Sequence, residues 1–302
     1  MNRLLITGAT GFTGGYLARE LAAAGYEVHG LGPARPKAEV AARTAAIAVH
    51  HVCDLLDRRA VTDLVAEVAP TKVVHLAAIA SVGHADVDLM YRTNIVGSRN
   101  LLSALAEIAA PPKLVLLASS ANVYGNVGQE TITERTEPVP ANDYAVSKLA
   151  MEYMARIWMP RLPIVVVRPF NYTGCGQSED FVLPKLTGHF KRRESVLELG
   201  NIDVERDFSD VRTVVDCYRR LLEVDSAGRT VNICSGVGHT LRQAIDVARD
   251  FTGHSPEIRI NPAFVRPNDI RRLVGSRQLL EQLIGSVRGP SFEDTLKWMM
   301  SA

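Results

Sequence analysis

The sequence holds no charge-free apolar run approaching the length of a membrane span, so no transmembrane helix is expected. It enters a strand directly after Met1-Asn-Arg, and no signal peptide is expected there. Cysteine is scarce: Cys53, Cys175, Cys217 and Cys234 show neither CxxC nor metal-ligand spacing. Free thiols in a reducing compartment, and no metal site, are the expectation. Charge of either sign is not in excess. A net charge of +1 over 302 residues gives no global attraction to nucleic acid or to an anionic membrane. Short basic clusters such as Lys191-Arg192-Arg193 and Arg271-Arg272 read as solvated helix faces. Repeats and low-complexity segments are absent too. What is left is a cytoplasmic globular protein, 47% hydrophobic and 22% charged, sized for one large domain or two closely joined ones.

Within that composition, apolar runs alternate with helical patterns. Leu4-Leu5-Ile6 suits a buried strand, and Gly8-Ala-Thr10-Gly11-Phe12-Thr13-Gly14 follows it directly. A helical pattern through Tyr16, Leu17, Leu21 and Ala24 stops at Gly25, and Tyr26-Glu-Val-His-Gly-Leu31 reads as a second strand. A glycine turn between strand and helix predicts a dinucleotide site, because the glycines allow close backbone approach and the helix N-terminus offers free N–H groups to a pyrophosphate. A plain structural turn is the competing reading, and the βαβ context makes it the lesser one. At the end of the second strand a carboxylate usually bonds a ribose 2′-hydroxyl, whereas an arginine accommodates a 2′-phosphate. Gly30-Leu-Gly-Pro-Ala-Arg35-Pro-Lys37 has no carboxylate and two cations, so NADP(H) is favoured as cofactor, with NAD(H) the alternative.

The alternation continues with a strand over 46–52 ending at Asp54-Leu55, a helix over 58–68 and a strand over 72–78. A long helical stretch over 87–109 carries Asn94, and strands over 113–120 and 164–168 flank a further helix. The pattern predicts an α/β fold, a Rossmann-type doubly wound parallel sheet with ligands at the C-terminal edge of its strands. Asp54, the segment Leu76-Ala77-Ala78, Ser120 and Pro169 all fall at that edge. Beyond Pro169 loops lengthen, as in 171–178 and 200–207, and helices over 210–224 and 240–251 are shorter. The expected division is a dinucleotide-binding domain over 1–168, with a strand near 230–234 returning to its sheet, and a smaller C-terminal substrate-binding lobe over 169–302. Ser291-Phe-Glu-Asp294 announces a final helix with a start like a capping box.

Tyr144 and Lys148, four residues apart, share one face of their helix. An ammonium beside a phenol favours the phenolate, so the tyrosine pKa is expected to fall below its usual value of about 10. Tyr144 then becomes a proton donor and acceptor near neutral pH. Such pairs also arise by chance, and taken alone this one reads as a solvated surface pair.

The motifs Gly8-x-x-Gly11-Phe12-x-Gly14, His75-Leu-Ala-Ala78, Asn94, Ser119-Ser120-x-x-Val-Tyr124-Gly125, Tyr144-x-x-x-Lys148 and Arg168-Pro-Phe-Asn171 occur in this order. Together they resemble the extended short-chain dehydrogenase/reductase superfamily of NAD-dependent epimerases and dehydratases. The later blocks are Asn171-Tyr-Thr-Gly-x-Gly-Gln-Ser-x-x-Phe181-Val182, Leu199-Gly-Asn-x-x-x-x-Arg206-Asp-Phe-x-Asp210-Val211 and Arg266-Pro-Asn-Asp269. They are similar to its GDP-mannose branch, and most similar to the GDP-6-deoxy-4-keto-D-mannose reductases, which make GDP-D-rhamnose. Two departures stand out: Cys175 replaces a common proline, and Gly285-Ser-Val-Arg-Gly-Pro290 stands where Gly-Trp-x-Pro often occurs.

The resemblance implies that Tyr144 is the catalytic acid/base, that Lys148 bonds the nicotinamide ribose, and that Ser120 bonds the substrate carbonyl oxygen. It implies cofactor contacts from Gly8, Thr10, Gly11, Phe12, Thr13, Gly14, Arg35, Asp54, Leu55, Leu76, Ala77, Ala78, Asn94 and Pro169. For the sugar nucleotide it implies Ser81, Asn171, Val182, Lys185, Arg206, Arg266 and Asp269, in keeping with the forked bonds that guanidinium groups offer a pyrophosphate. A 4,6-dehydratase carries a glutamate after its active-site serine or threonine, but Ala121 and Asn122 stand here. Elimination is therefore disfavoured, and reduction of the C4 ketone of a GDP-4-keto-6-deoxyhexose is the expected activity. A nucleotide-sugar 4-epimerase with tightly bound NAD would use the same groups and is the alternative. A non-catalytic dinucleotide-binding protein is a more distant one, because such proteins commonly lose the tyrosine or lysine. The resemblance also implies a homodimer through the helices around Asn94 and Met151, where Met151, Met154, Ile157 and Trp158 supply apolar surface; burial in the chain's own core is the other reading.

Overall fold

The computed structural model describes residues 2–36, 41–80, 86–128, 130–264 and 271–302. Lys37, Ser81, Arg266 and Asp269 lie outside the described residues. The chain opens with β1 (Arg3–Thr7), α1 (Phe12–Ala23), β2 (Glu27–Gly32), the short α2 (Ala41–Thr44), β3 (Val49–Val52), α3 (Arg58–Val68) and β4 (Lys72–His75). Next come α4 (Val87–Tyr91), a π-helical turn (Arg92–Gly97), α5 (Ser98–Glu107), β5 (Leu114–Ala118), α6 (Asp143–Trp158) and β6 (Ile164–Pro169). The third part holds β7 (Asn171–Thr173), α7 (Val182–Lys191), β8 (Val196–Leu199), β9 (Glu205–Asp210), α8 (Val211–Leu221) and β10 (Thr230–Ile233). It ends with β11 (Gly238–Thr240), α9 (Leu241–Thr252), β12 (Glu257–Ile260), β13 (Arg272–Leu273), α10 (Gln278–Ile284) and α11 (Phe292–Ser301).

Seven parallel strands form the main sheet in the order β10-β6-β5-β4-β1-β2-β3. Its direction of growth reverses between β1 and β4, which opens a crevice at their C-terminal ends. Strand residues are buried on both faces, as a helix-covered parallel sheet requires. Leu4 and Ile6 face α1, α8 and α10 through Leu17, Leu21, Val214, Tyr218 and Leu280. Leu5 points the other way, into a layer built from Val61 and Val65 of α3, Leu101 and Leu105 of α5, and Met151 of α6. Strand β10 comes from far along the chain yet pairs with β6, and α8 packs against α1.

The smaller lobe is built on β9, which pairs with β7, β11 and β13. Helices α7, α9 and α11 enclose a separate core of Leu183, Leu186, Phe190, Leu241, Ile245 and Leu296. The segment Glu-Arg-Asp-Phe-Ser-Asp does not look like a strand, and part of it was expected to be loop. It extends because the buried Asp207 carboxylate accepts hydrogen bonds from the Ser235 and Gly236 N–H groups at 2.8 and 2.9 Å, and from Ser235 Oγ at 2.7 Å. Those bonds tie the lobe to the turn after β10.

Two further expectations change. The helical stretch over 87–109 is not one α-helix, because a π turn interrupts it around Asn94. The strand expected over 46–52 begins only at Val49. The helix over 58–68 matches its expected bounds, with Asp57 capping the Ala60 N–H at 3.0 Å and Val61, Leu64, Val65 and Val68 buried along one face. The Ser291–Asp294 capping box is formed. All four cysteines are free.

Candidate active site

The glycine turn leaves β1 at Gly8, whose φ of +70° favours glycine and whose Cβ, if present, would lie 2.9 Å from the Ala77 nitrogen. A Cβ at Gly14 would lie 2.3 Å from the Gly8 carbonyl oxygen, so helix and turn pack too closely for any other residue. Gly11 caps α1 without a side-chain hydrogen bond, and Phe12, Thr13 and Gly14 form the first helical turn. Free N–H groups at the start of a twelve-residue helix fit a pyrophosphate. Thr10 lies beside the end of β2, and Arg35 is exposed on the turn that follows. Asp54 is exposed after β3, where its carboxylate accepts from the Leu56 N–H at 2.9 Å; Leu55 beside it is buried.

Strand β5 delivers Ser119 and Ser120 to the same edge. The Ser120 hydroxyl accepts from the backbone N–H of Asn122 at 3.2 Å and opens a 3₁₀ turn over Ala121–Tyr124. Ser120 is near enough to lower the Tyr144 phenol pKa somewhat, and Tyr144 and Lys148 lie buried one turn apart on α6. The Lys148 ammonium donates to the Ala118 carbonyl at 2.7 Å. Helix α6 is fixed beneath them by Glu152, which accepts from Ser119 Oγ at 2.5 Å and from the Arg168 guanidinium at 2.9 and 2.6 Å. That buried, bidentate pair joins α6 to both β5 and β6.

The electrostatics overturn one expectation. Burial pushes the Tyr144 phenol well above its ordinary pKa, against a lesser lowering from Ser120. Lys148 does not bring it down; its own pKa is pushed down to about 8 by burial, with Glu152 opposing. Taking a phenolate out of water outweighs the attraction of a nearby ammonium that is already held by a backbone carbonyl. The Tyr144 phenol thus keeps its proton through the neutral range.

A continuous buried hydrogen-bond chain links the glycine turn to this helix. The Ala77 N–H donates to Thr7 Oγ1 at 3.1 Å, and Thr7 contacts His75 Nδ1 at 2.7 Å. On its other side His75 Nε2 lies 2.7 Å from Ser98 Oγ, which donates to the Asn94 carbonyl at 2.7 Å. The donors align in one sense: Ser98 gives its proton to Asn94, so His75 Nε2 carries a hydrogen and Nδ1 accepts from Thr7. Asn94 grips the loop after β4 through the Ile79 N–H at 2.9 Å and reaches Ser147 Oγ at 3.0 Å; Ser147 donates to the Tyr144 carbonyl at 2.7 Å. The π turn is what places Asn94 between loop and helix. Leu76, Ala77 and Ala78 lie where this chain meets the sheet edge.

Pro169 ends β6 and Asn171 begins β7, so both stand one strand over from Ser120. Val182 opens α7, and Lys185 on the same helix donates to the Glu198 carbonyl at 2.9 Å and sits 4.3 Å over the Phe264 ring. Arg206 is on β9, donating to the Glu205 carbonyl. These four belong to the lobe, while the Ser120–Tyr144–Lys148 group belongs to the sheet edge. Sequence reasoning missed Tyr172, whose hydroxyl meets Thr13 Oγ1 at 2.8 Å and whose ring stacks on Phe12. Its only signal was an aromatic residue beside Asn171. The role of His75 was also missed, although its motif was visible.

A family model described as GDP-mannose 4,6 dehydratase matches residues 5–299. A GDP-6-deoxy-D-mannose reductase from Pseudomonas aeruginosa is 34% identical over 310 residues, covering 99% of this chain and 96% of that protein. A GDP-6-deoxy-D-talose 4-dehydrogenase from Aggregatibacter actinomycetemcomitans is 31% identical, covering 94% and 92%. Among solved structures, a putative epimerase from Burkholderia cenocepacia is 45% identical with a TM-score of 0.92, covering 99% of this chain and 97% of that one. RMD from Pseudomonas aeruginosa complexed with NADPH is 33% identical with a TM-score of 0.86, covering 100% and 98%.

The buried relay makes a stability prediction. Burial, with the Lys148 charge adding to it, pushes His75 down to about 3. The unfolded chain takes up a proton below the ordinary histidine value of 6.5 that the folded chain refuses, so folded stability is complete above that value and declines as pH falls toward 3. Urea unfolding of His75→Gln should show a loss of about 1–3 kcal/mol at neutral pH, from buried groups left with poorer partners. It should also show an acid slope shallower than wild type by up to one proton. An unchanged slope would remove His75 from this role.

Proposed function

Because the chain belongs to the GDP-mannose 4,6 dehydratase family, we propose that it is an NADP(H)-dependent reductase of the C4 ketone of a GDP-4-keto-6-deoxyhexose. The product is GDP-D-rhamnose or its C4 epimer, and NAD(H) is the second possible coenzyme. The observation that carries this reading is a buried, protonated phenol, Tyr144, near Ser120 at a sheet edge where the serine is followed by Ala121 and Asn122. Neither of those two residues can take a proton from C5, so the site is equipped to reduce and not to eliminate. The two relatives described above carry 4-dehydrogenase and reductase names, for a 6-deoxy-D-talose and a 6-deoxy-D-mannose that differ in configuration at C4.

A nicotinamide held at the glycine turn would supply the hydride for C4. Every other step falls to side chains of this chain. Ser120 Oγ donates to the C4 oxygen and polarises it, and Tyr144 gives that oxygen its phenolic proton as charge develops there. The Lys148 ammonium, one turn along α6, would bond the nicotinamide ribose and oppose the cost of the phenolate that remains. Hydride and proton together account for both hydrogens of the reduction. The first turn of α1, with Gly8 and Gly11, would hold the pyrophosphate; Asn171, Val182, Lys185 and Arg206 would face the sugar nucleotide. In this reading 1–168 serve the dinucleotide and 169–302 mainly the sugar nucleotide. The 4-epimerase alternative needs the same groups and draws on the Burkholderia neighbour's name, and coenzyme released on denaturation would favour it.

Incubation with GDP-4-keto-6-deoxy-D-mannose should oxidise NADPH, and Tyr144→Phe should lower kcat by about 10²- to 10⁴-fold. The rate should hold through neutrality and fall above about pH 8, where Lys148 loses its proton. No oxidation of either coenzyme, or a Tyr144→Phe enzyme as active as wild type, would refute the assignment.

We further propose a cytoplasmic homodimer. Met151 is fully buried in the chain's own core, so it is not the contact residue, but Val146, Tyr153 and Ile157 on α6 and Leu89 and Val96 near Asn94 are exposed, Ile157 by 73%. Their spacing on α6 puts the three on one face. Sedimentation should show a dimer for wild type and dissociation for Ile157→Lys; a monomeric wild type would end the proposal.

A further inference from the structure

Strand β2 ends at Gly32, the position from which this kind of fold usually extends a carboxylate to the adenosine ribose. A Cβ at Gly32 would lie 3.5 Å from His50 Nε2, 3.8 Å from Thr10 Oγ1 and 3.9 Å from the Ala34 carbonyl oxygen. An imidazole from the neighbouring strand therefore borders the space an acidic side chain would enter. His50 is in β3, where its backbone pairs with Gly30, and glycine at both 30 and 32 leaves this face of β2 without side chains at its C-terminal end.

His50 also stands apart in its bonding. Both its ring nitrogens are buried, and among the described residues neither has a hydrogen-bond partner. By contrast, His29 and His51 bond each other, His75 bonds Thr7 and Ser98, and His189 and His254 bond backbone carbonyls. An imidazole always carries at least one N–H donor, and a buried donor left unbonded is disfavoured. One that borders a ligand subsite gains its partner when the ligand arrives.

We infer that His50 is a coenzyme-specificity residue, donating a hydrogen bond to the 2′-phosphate on the adenosine ribose of NADP(H). The chemistry selects phosphate over hydroxyl. With no carboxylate at position 32 to accept from a 2′-hydroxyl, NAD(H) gains little there, whereas the phosphate offers several acceptor oxygens to His50 and to Thr10. Arg35, exposed on the turn after β2, adds positive charge on the outer side. The Ala34 carbonyl borders the same space, so that turn would have to move outward to admit the phosphate. The inference rests on the dinucleotide reading of the glycine turn and adds a residue that reading did not include.

The test is coenzyme binding followed by fluorescence, with histidine side-chain ¹⁵N NMR as a second readout. In wild type, NADPH and 2′,5′-ADP should both move the His50 ring signals, while NADH and 5′-AMP should not. His50→Leu should lower the ratio of NADPH to NADH affinity about tenfold, and His50→Gln, which restores an N–H donor, should recover part of it. Equal weakening of both coenzymes would show that His50 only supports the fold, and an unchanged ratio or unmoved ring signals would also overturn the inference while leaving the dinucleotide site standing. Failure of wild type to bind either coenzyme would overturn both.

Discussion

The interaction on which the rest of the site depends is the buried chain of hydrogen bonds running from Ala77 through Thr7, His75, Ser98 and Asn94 to Ser147 and the Tyr144 carbonyl. Each of these side chains is almost fully buried, so each must find a partner within the protein, and the partners on offer fix one arrangement. That arrangement sets β1 with its glycine turn, the loop after β4 and the start of α6 relative to one another. The glycine turn and the phenol held by the helix are thereby brought into register. The π turn at Asn94 belongs to the same constraint, because one extra residue in the helix lets a single side chain serve both the loop and the helix.

Beneath the site, polar burial is used a second time and to different effect. Glu152 and Arg168 neutralise each other while Glu152 also binds Ser119, so the floor of the site is charged yet satisfied. Lys148 is not satisfied to the same degree, and burial draws its pKa toward the physiological range. A lysine in that condition destabilises the folded chain, and it lies one helical turn from Tyr144. The concentration of such groups at one sheet edge is what separates this region from the ordinary hydrophobic layers around it.

Much of the first half was legible because local rules and the global fold agree there. Strand–turn–helix alternation, the glycines at 8, 11 and 14, and the Asp57 cap on α3 are each readable from neighbours in sequence. The parts that were not legible depend on distant partners. The strand Glu205–Asp210 is too polar to look like one, and it exists because Asp207 is satisfied by the turn at Ser235 and Gly236. The π turn has no local signature. The direction of the Tyr144 pKa follows from how deeply the helix is buried, which four-residue spacing does not reveal. Tyr172 and His50 became visible only when β7 was seen against α1 and β3 against the end of β2. Four of the expected contacts, Lys37, Ser81, Arg266 and Asp269, lie outside the described residues and stand as sequence expectations.

What unites the sheet edge, the raised phenol and the non-titrating pair after Ser120 is a single chemical direction: a hydride acceptor is protonated, and no C5 proton is removed. The most direct test uses NADPH deuterated at the transferable C4 position with GDP-4-keto-6-deoxy-D-mannose, reading the product by NMR. A reductase places deuterium on C4 of the hexose, one for each NADPH oxidised. Conversion of GDP-mannose to its 4-keto-6-deoxy derivative without net coenzyme consumption, or a product free of deuterium, would contradict it.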